Sequence, residues 1–291
     1  MYKINVFIVK MLKLLRKPGL TFFMECHSGI SAKIAKEAGH EALWASGLSM
    51  SASRGVRDAN ELSWTQVVDS CDEMVRGGEG LPLLVDGDTG YGNFNNARRF
   101  VNACEQRGVA GVCFEDKLFP KQNSFVAGET QKLADAKEFG LKIKACKDVV
   151  QSDDFAVVAR LESFITGHGL EDALQRARIY EDNGADAILC HSKKETVEDI
   201  EAFMTEWKGS VPIIIVPTTY ITTPISRFEE LGVSGVIWAN HQLRSSILAM
   251  QQVCQNLAQN HSIKDSPMVS VKEIFRLQEQ DKLNEDEKIY E

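Results

Sequence analysis

The chain has 291 residues, 44% hydrophobic and 25% charged, enough to bury a full core in one large domain or two small ones. Its net charge of -8 excludes nonspecific nucleic-acid binding, which needs a basic face, and no apolar run approaches the roughly 20 residues of a membrane span. Seven cysteines without a CxxC pair argue against a disulfide framework and for a reducing compartment, so a cytoplasmic location is expected.

The first 24 residues carry Lys3, Lys10, Lys13, Arg16 and Lys17 without an acid. Such segments can direct import into mitochondria. Arg and Ser are sparse there, however, and the periodicity favours a surface helix from Asn5 to Lys17 with Phe7, Met11 and Leu14 inward. Eight short apolar runs follow: Leu20–Glu25, Ala42–Ser46, Leu81–Asp86, Gly111–Glu115, Phe155–Arg160, Asp186–His191, Val211–Pro217 and Gly235–Asn240. Between most of them lie helical stretches, among them Asn95–Arg107, Leu133–Val150, Leu170–Asn183 and Val197–Trp207. Continuous apolar strands alternating with helices need a parallel sheet covered on its outer side. A connector recurs at Gly39, Gly108, Gly184 and Gly232, where a left-handed glycine ends a helix just before the next strand.

These eight units predict an α/β fold, a (β/α)8 TIM-type barrel over residues 20–258. A basic helical segment, 1–19, precedes it, and 259–291 form a linker and C-terminal helix. A doubly wound sheet is disfavoured because no GxGxxG joins a first strand to a helix. Residues 259–269 read as linker, and Ser270 with Glu273 has capping-box spacing. Ile274, Phe275 and Leu277 then share one side of the last helix, a stripe for an oligomer contact or for packing on the barrel.

A barrel of this type carries its active site at the C-terminal ends of its strands. Asp86, Asp88 and Glu115 stand there as hard oxygen donors for a magnesium-type cation; the alternatives are a helix N-cap for Asp88 and a surface ion pair for Glu115. Arg160 presents a planar fork for carboxylate or phosphate, or pairs with Glu162, and His191 holds the same place on the next strand. The small polar stretch Gly47–Asp58 offers backbone amides to an anion, and Asp58 is either nucleophile or base or the N-cap of a helix starting near Asn60. Lys121, Asn123 and Ser124 occupy the loop after the fourth strand, where a lid would sit.

Trp44-Ala-Ser-Gly-Leu48, Val56-Arg-Asp-Ala-Asn60, Asp86-Gly-Asp-Thr-Gly-Tyr-Gly-Asn93 and Glu115-Asp-Lys-Leu-Phe-Pro-Lys-Gln-Asn-Ser124 resemble the phosphoenolpyruvate mutase/isocitrate lyase superfamily, and within it the mutase branch. Ala159-Arg-Leu-Glu162, His191-Ser-Lys193 and Val216-Pro-Thr218 extend the likeness. The resemblance implies a Mg2+-dependent interconversion of phosphoenolpyruvate and phosphonopyruvate, the entry into phosphonate biosynthesis. By it, Asp86 ligates the metal directly while Asp58, Asp88 and Glu115 hold its waters. Amides at Ser46, Gly47 and Leu48 and the ring of Trp44 meet the pyruvyl unit. Arg160 and His191 clamp the phosphoryl group, Asn123 and Ser124 close onto it, and Asp58 relays it. A homotetramer, a dimer of dimers with exchanged helices, is implied as well. Phosphonopyruvate hydrolase is the nearest rival, separated by Asn123 in the lid. The C–C lyases of the superfamily carry a Cys-Gly-His loop that is missing here, and an inactive scaffold is the non-enzymatic alternative.

Overall fold

The structure is a computed structural model and describes residues 11–263 and 267–291. Phe7 and the first ten residues of the basic segment, on which the import alternative also rests, lie outside the described residues. The chain divides into two compact units, Met1–Asn240 and His241–Glu291.

In the first unit, eight strands close into a parallel barrel in sequence order. They are β1 (Thr21–Cys26), β2 (Ala42–Ala45), β3 (Leu83–Asp86), β4 (Gly111–Glu115), β5 (Ala156–Leu161), β6 (Ala187–Cys190), β7 (Ile213–Ile215) and β8 (Gly235–Trp238). β8 returns to β1 with Thr21 opposite Gly235 and Met24 opposite Trp238. Side chains alternate along a strand, and both faces here are apolar. Phe23, Leu84, Cys113, Val158, Leu189 and Ile214 pack in one cluster inside the barrel. Their neighbours Leu43, Val85, Val112, Val157, Ile188 and Ile215 pack in a second cluster under the helices. That double burial is why the strands read as unbroken apolar runs.

The helices of this unit are α1 (Met11–Leu15), α2 (Gly29–Glu37), α3 (Gly47–Ser53), α4 (Trp64–Gly78), α5 (Phe94–Gln106), α6 (Ser124–Ala127), α7 (Ala136–Lys147), α8 (Gly169–Asp182), α9 (Glu198–Glu206) and α10 (Ile225–Glu230). Met11 and Leu15 of α1 join the interior cluster, and Leu14 accepts at its carbonyl a hydrogen bond from the Thr21 hydroxyl at 2.9 Å. The inward set is thus Met11 and Leu15, with Leu14 half-buried. All four connector glycines, 39, 108, 184 and 232, have positive φ between 77° and 90°.

Within the small polar stretch, Gly47–Ser53 forms a helix, capped by the Ser46 hydroxyl, which accepts from the Ser49 amide. One expectation needs correction. The helix expected near Asn60 begins at Trp64, capped by Ser63. In the second unit, α11 (His241–Asn260) is followed by α12 (Val271–Leu277), capped by Ser270 as expected, and by α13 (Gln280–Tyr290). Left-handed Glu279 separates these last two helices.

Among the described residues no helix is long and apolar enough to cross a membrane, and all seven cysteines are free. Helices α2 and α4 pack closely at a pair of glycines. A Cβ built on Gly77 would lie 2.1 Å from the carbonyl oxygen of Gly29. Gly77→Ala must push the two helices apart, and a loss of about 1–3 kcal/mol is expected from the urea midpoint.

Candidate active site

Strand parity decides which side chains meet. Leu84, Cys113, Val158 and Leu189 point inward. The residues two further on, Asp86, Glu115, Arg160 and His191, therefore emerge on the inner side at the C-terminal rim. They line one cavity with Trp44, Ser46 and Leu48 from β2 and α3 and with Asp58 from the loop beyond. Lys121, Asn123 and Ser124, in the loop after β4, complete the same wall. Glu25, also at the rim, instead meets the His27 ring nitrogen Nδ1 at 2.7 Å.

The cavity has two halves with different charge balance. In the first, Asp86, Asp88, Asp58 and Glu115 gather. The Gly47 amide donates to Asp86 Oδ2 at 3.3 Å, and the Asp88 amide donates to Asp86 Oδ1 at 3.2 Å. Lys121, only 4% exposed, pairs with two of these carboxylates, its Nζ lying 2.5 Å from Asp58 Oδ1 and 3.0 Å from Asp88 Oδ1, while Glu115 Oε2 faces Lys117 Nζ at 3.4 Å and Arg160 Nη2 at 3.6 Å. The Asp88 contact is an ion pair without hydrogen-bond geometry, and Glu115 Oε1 is buried with no hydrogen-bond partner among the described residues. Burial, then repulsion from Asp86, Asp58 and Glu115, pushes the Asp88 carboxyl up to about 7 against the pull of Lys121. Burial raises Asp86 too, with Glu115 and Asp58 adding to it. For Asp58, burial alone acts upward, but the Lys121 ammonium and hydrogen bonds from Lys121 and Asn123 outweigh it and hold the group below its ordinary range. Neither Asp58 nor Asp88 caps a helix, since Ser63 and Asn93 do.

The second half is cationic. Arg160 Nε donates to Glu162 Oε1 at 2.5 Å, and Arg160 Nη2 lies 2.9 Å from His191 Nδ1. Glu162 Oε2 accepts from Ser124 Oγ at 2.8 Å and lies 3.1 Å from Lys117 Nζ. Burial acts upward on Glu162, yet Arg160, Lys117 and His191 together hold it well below its ordinary range. Burial and Arg160 keep His191 neutral at pH 7 by lowering its pKa. Arg160 thus both pairs with Glu162 and faces the cavity. Lys117 and the central place of Glu162 escape a residue-by-residue reading. The missed signal is again parity, because each stands two beyond an inward Glu115 or Arg160.

Among the described residues no three carboxylate, imidazole or thiolate groups already meet as ligands of one ion. The residues nevertheless fit a small divalent cation. All donors are hard oxygens, Glu115 keeps a free buried oxygen, and Gly47 leaves open a space in which a Cβ would lie 3.0 Å from Asp86 Oδ2 and 3.3 Å from Asp88 Oδ1.

Residues 11–258 match the family model for phosphoenolpyruvate phosphomutase. The chain belongs to the phosphoenolpyruvate phosphomutase family. A phosphoenolpyruvate phosphomutase of Tetrahymena pyriformis is 52% identical over 279 residues, 95% of this chain and 93% of that one. The crystal structure of phosphoenolpyruvate phosphomutase from Streptomyces platensis subsp. rosaceus is similar at a TM-score of 0.91 and 37% identity, covering 95% of this chain and 96% of that one. A phosphonopyruvate hydrolase in complex with oxalate and Mg2+ is similar at a TM-score of 0.90 and 35% identity, covering 100% and 99%.

In this member of the phosphomutase family Glu162 is the anion on which the cationic half rests. Glu162→Gln leaves the buried Lys117 and Arg160 with Glu115 as their one remaining carboxylate among the described residues and is expected to lower stability by about 3–5 kcal/mol in chemical denaturation. Because the folded pKa of Glu162 is depressed, the stabilisation is full above the unfolded value of about 4.3. It is lost progressively as the pH falls below that value and down through the depressed folded one. A variant as stable as the parent at pH 7 contradicts this account.

Proposed function

We propose that the chain is a Mg2+-dependent phosphoenolpyruvate phosphomutase, an isomerase interconverting phosphoenolpyruvate and 3-phosphonopyruvate and so making the C–P bond of phosphonate biosynthesis. The observation that carries this reading is Asp58, an ionised carboxylate held by Lys121 and by Asn123 Nδ2 at 2.6 Å, on the cavity that Arg160 and His191 also line. A carboxylate in that state is a nucleophile for phosphorus.

Asp86, Asp88, Glu115 and Asp58 would hold Mg2+, which when bound neutralises charge developing on the enolate oxygen of the pyruvyl unit. Trp44, with Ser46, Gly47 and Leu48, forms the wall for that unit. Arg160 and neutral His191 bind the phosphoryl oxygens as donors. A carboxylate oxygen of Asp58 attacks phosphorus as the C–P bond breaks, and its electron pair stays on carbon as the enolate. The enolate oxygen then attacks the same phosphorus and frees Asp58. Asn123 and Ser124 keep water from the phosphorylated Asp58, which separates transfer from hydrolysis. Likeness to a phosphonopyruvate hydrolase at 35% identity makes that hydrolysis the competing outcome. Free cysteines throughout accord with a reducing cytoplasm. Val271, Ile274, Phe275 and Leu283 are exposed, which supports an oligomer contact on these helices, and the family resemblance makes that oligomer a homotetramer, a dimer of dimers.

Phosphorus NMR of the protein with Mg2+ and phosphonopyruvate is expected to show phosphoenolpyruvate without inorganic phosphate. Asp58→Ala is expected to remove turnover with the barrel still folded by circular dichroism. Inorganic phosphate as the main product would make the protein a hydrolase, and an active Asp58→Ala enzyme would remove the relay. Metal binding must also displace the proton that Asp88 keeps below pH 7. Mg2+ affinity by calorimetry is therefore expected to be steady above pH 7 and to fall by up to about tenfold per unit below it. A flat profile from pH 8 to pH 5.5 contradicts the role of Asp88.

A further inference from the structure

We propose that Asn60 is a positioning residue, joining the loop that carries Asp88 to the loop that closes the cavity. The proposal rests on the assignment of Asp88 to the metal site. Asn60 Nδ2 donates to Asp88 Oδ2 at 2.8 Å, and Asn60 Oδ1 accepts from the Lys121 backbone amide at 2.7 Å. Only one orientation of the side-chain amide serves both, since a carboxylate can only accept and a backbone N–H can only donate. The two partners lie 28 and 61 residues away in the sequence, so the link spans three separate segments. Asn60 makes it from a left-handed backbone, φ 58°, which a side chain rarely adopts and which surrounding contacts must maintain.

This link differs in kind from the others at the same place. Lys121 Nζ and Asn123 Nδ2 hold the loop by contacts to the carboxylates of Asp58 and Asp88, for which a bound cation would compete. The contact between the Lys121 backbone amide and the Asn60 side chain is between uncharged groups and involves no carboxylate. The base of the loop is tied separately, through the Leu118 amide to the Lys132 carbonyl at 3.0 Å and the Gln122 amide to Gln131 Oε1 at 2.9 Å. Where those two contacts tie the loop to residues 131 and 132, Asn60 ties it at Lys121 to a different segment and orients Asp88 with the same amide. Partners of metal ligands typically change metal affinity 10–100-fold when removed. Linkage requires that whatever passes through the shared contact acts in both directions.

Asn60→Gly is the informative change, because glycine adopts φ 58° without strain and removes both hydrogen bonds. Hydrogen exchange of metal-free protein and calorimetric Mg2+ titration are to be compared with the parent. Amides of residues 118–126 are expected to exchange at least about tenfold faster, with barrel-strand amides unchanged, and Mg2+ to bind about tenfold more weakly. Either quantity unchanged within twofold in Asn60→Gly overturns the proposal. Neither measurement needs turnover, so a parent protein that fails to form phosphoenolpyruvate would sink the proposed activity and leave this test readable.

Discussion

The constraint on which the site depends is the burial of many carboxylates at one barrel mouth. Two unit charges 4 Å apart interact by about 4 kcal/mol at an effective dielectric of about 20, so such a cluster stays together only if cations are interleaved. Lys117, Lys121 and Arg160 are those cations, each reaching at least two carboxylates. Their distribution is uneven. Around Glu162 they outnumber the anion, which stays ionised far into acid. Around Asp86 and Asp88 one lysine faces several acids, and both carboxyls are raised. One rim therefore offers two environments side by side, one suited to receiving an anion and the other a cation. A phosphoryl compound with a chelating pyruvyl end needs both.

Placement of these groups follows from the barrel rather than from the loops. An inward residue, one outward neighbour and another inward residue recur at each strand end, so the apolar interior passes without interruption into the polar rim. Loops contribute what strands cannot: Asp58 and Lys121 reach the rim from connections after β2 and β4, and each is held by the other. This division puts the groups proposed to bind the phosphoryl oxygens at strand ends and those proposed to exclude water on the loop after β4.

Much of the fold was legible in the sequence because each barrel strand is buried on both faces and each connector glycine needs a left-handed backbone. The strand-end residues were legible for the same reason. The segment 47–53 was not, since Gly-Leu-Ser-Met-Ser-Ala-Ser has weak helix propensity and its helix depends on the Ser46 cap. The break between α12 and α13 was also hidden, because nothing in Gln278-Glu279-Gln280 marks a left-handed residue. Partnerships were the least legible. Asn60 reaches residues far along the chain, and Glu162 has partners on three different elements. Propensity and periodicity carry no term for contacts that exist only once the barrel has closed.

The same alternation limits how this protein can diverge. Inserting one residue within β3 between Leu84 and Asp86 would leave the strand apolar and still able to pair, yet turn Asp86 from the cavity towards the helices. The equivalent insertion in β5 would do this to Arg160. Length changes are consequently tolerable in the connections at the opposite end of the barrel and ruinous in the last three residues of these strands. Substitution, not insertion or deletion, is the route by which the inner rim can acquire a different chemistry.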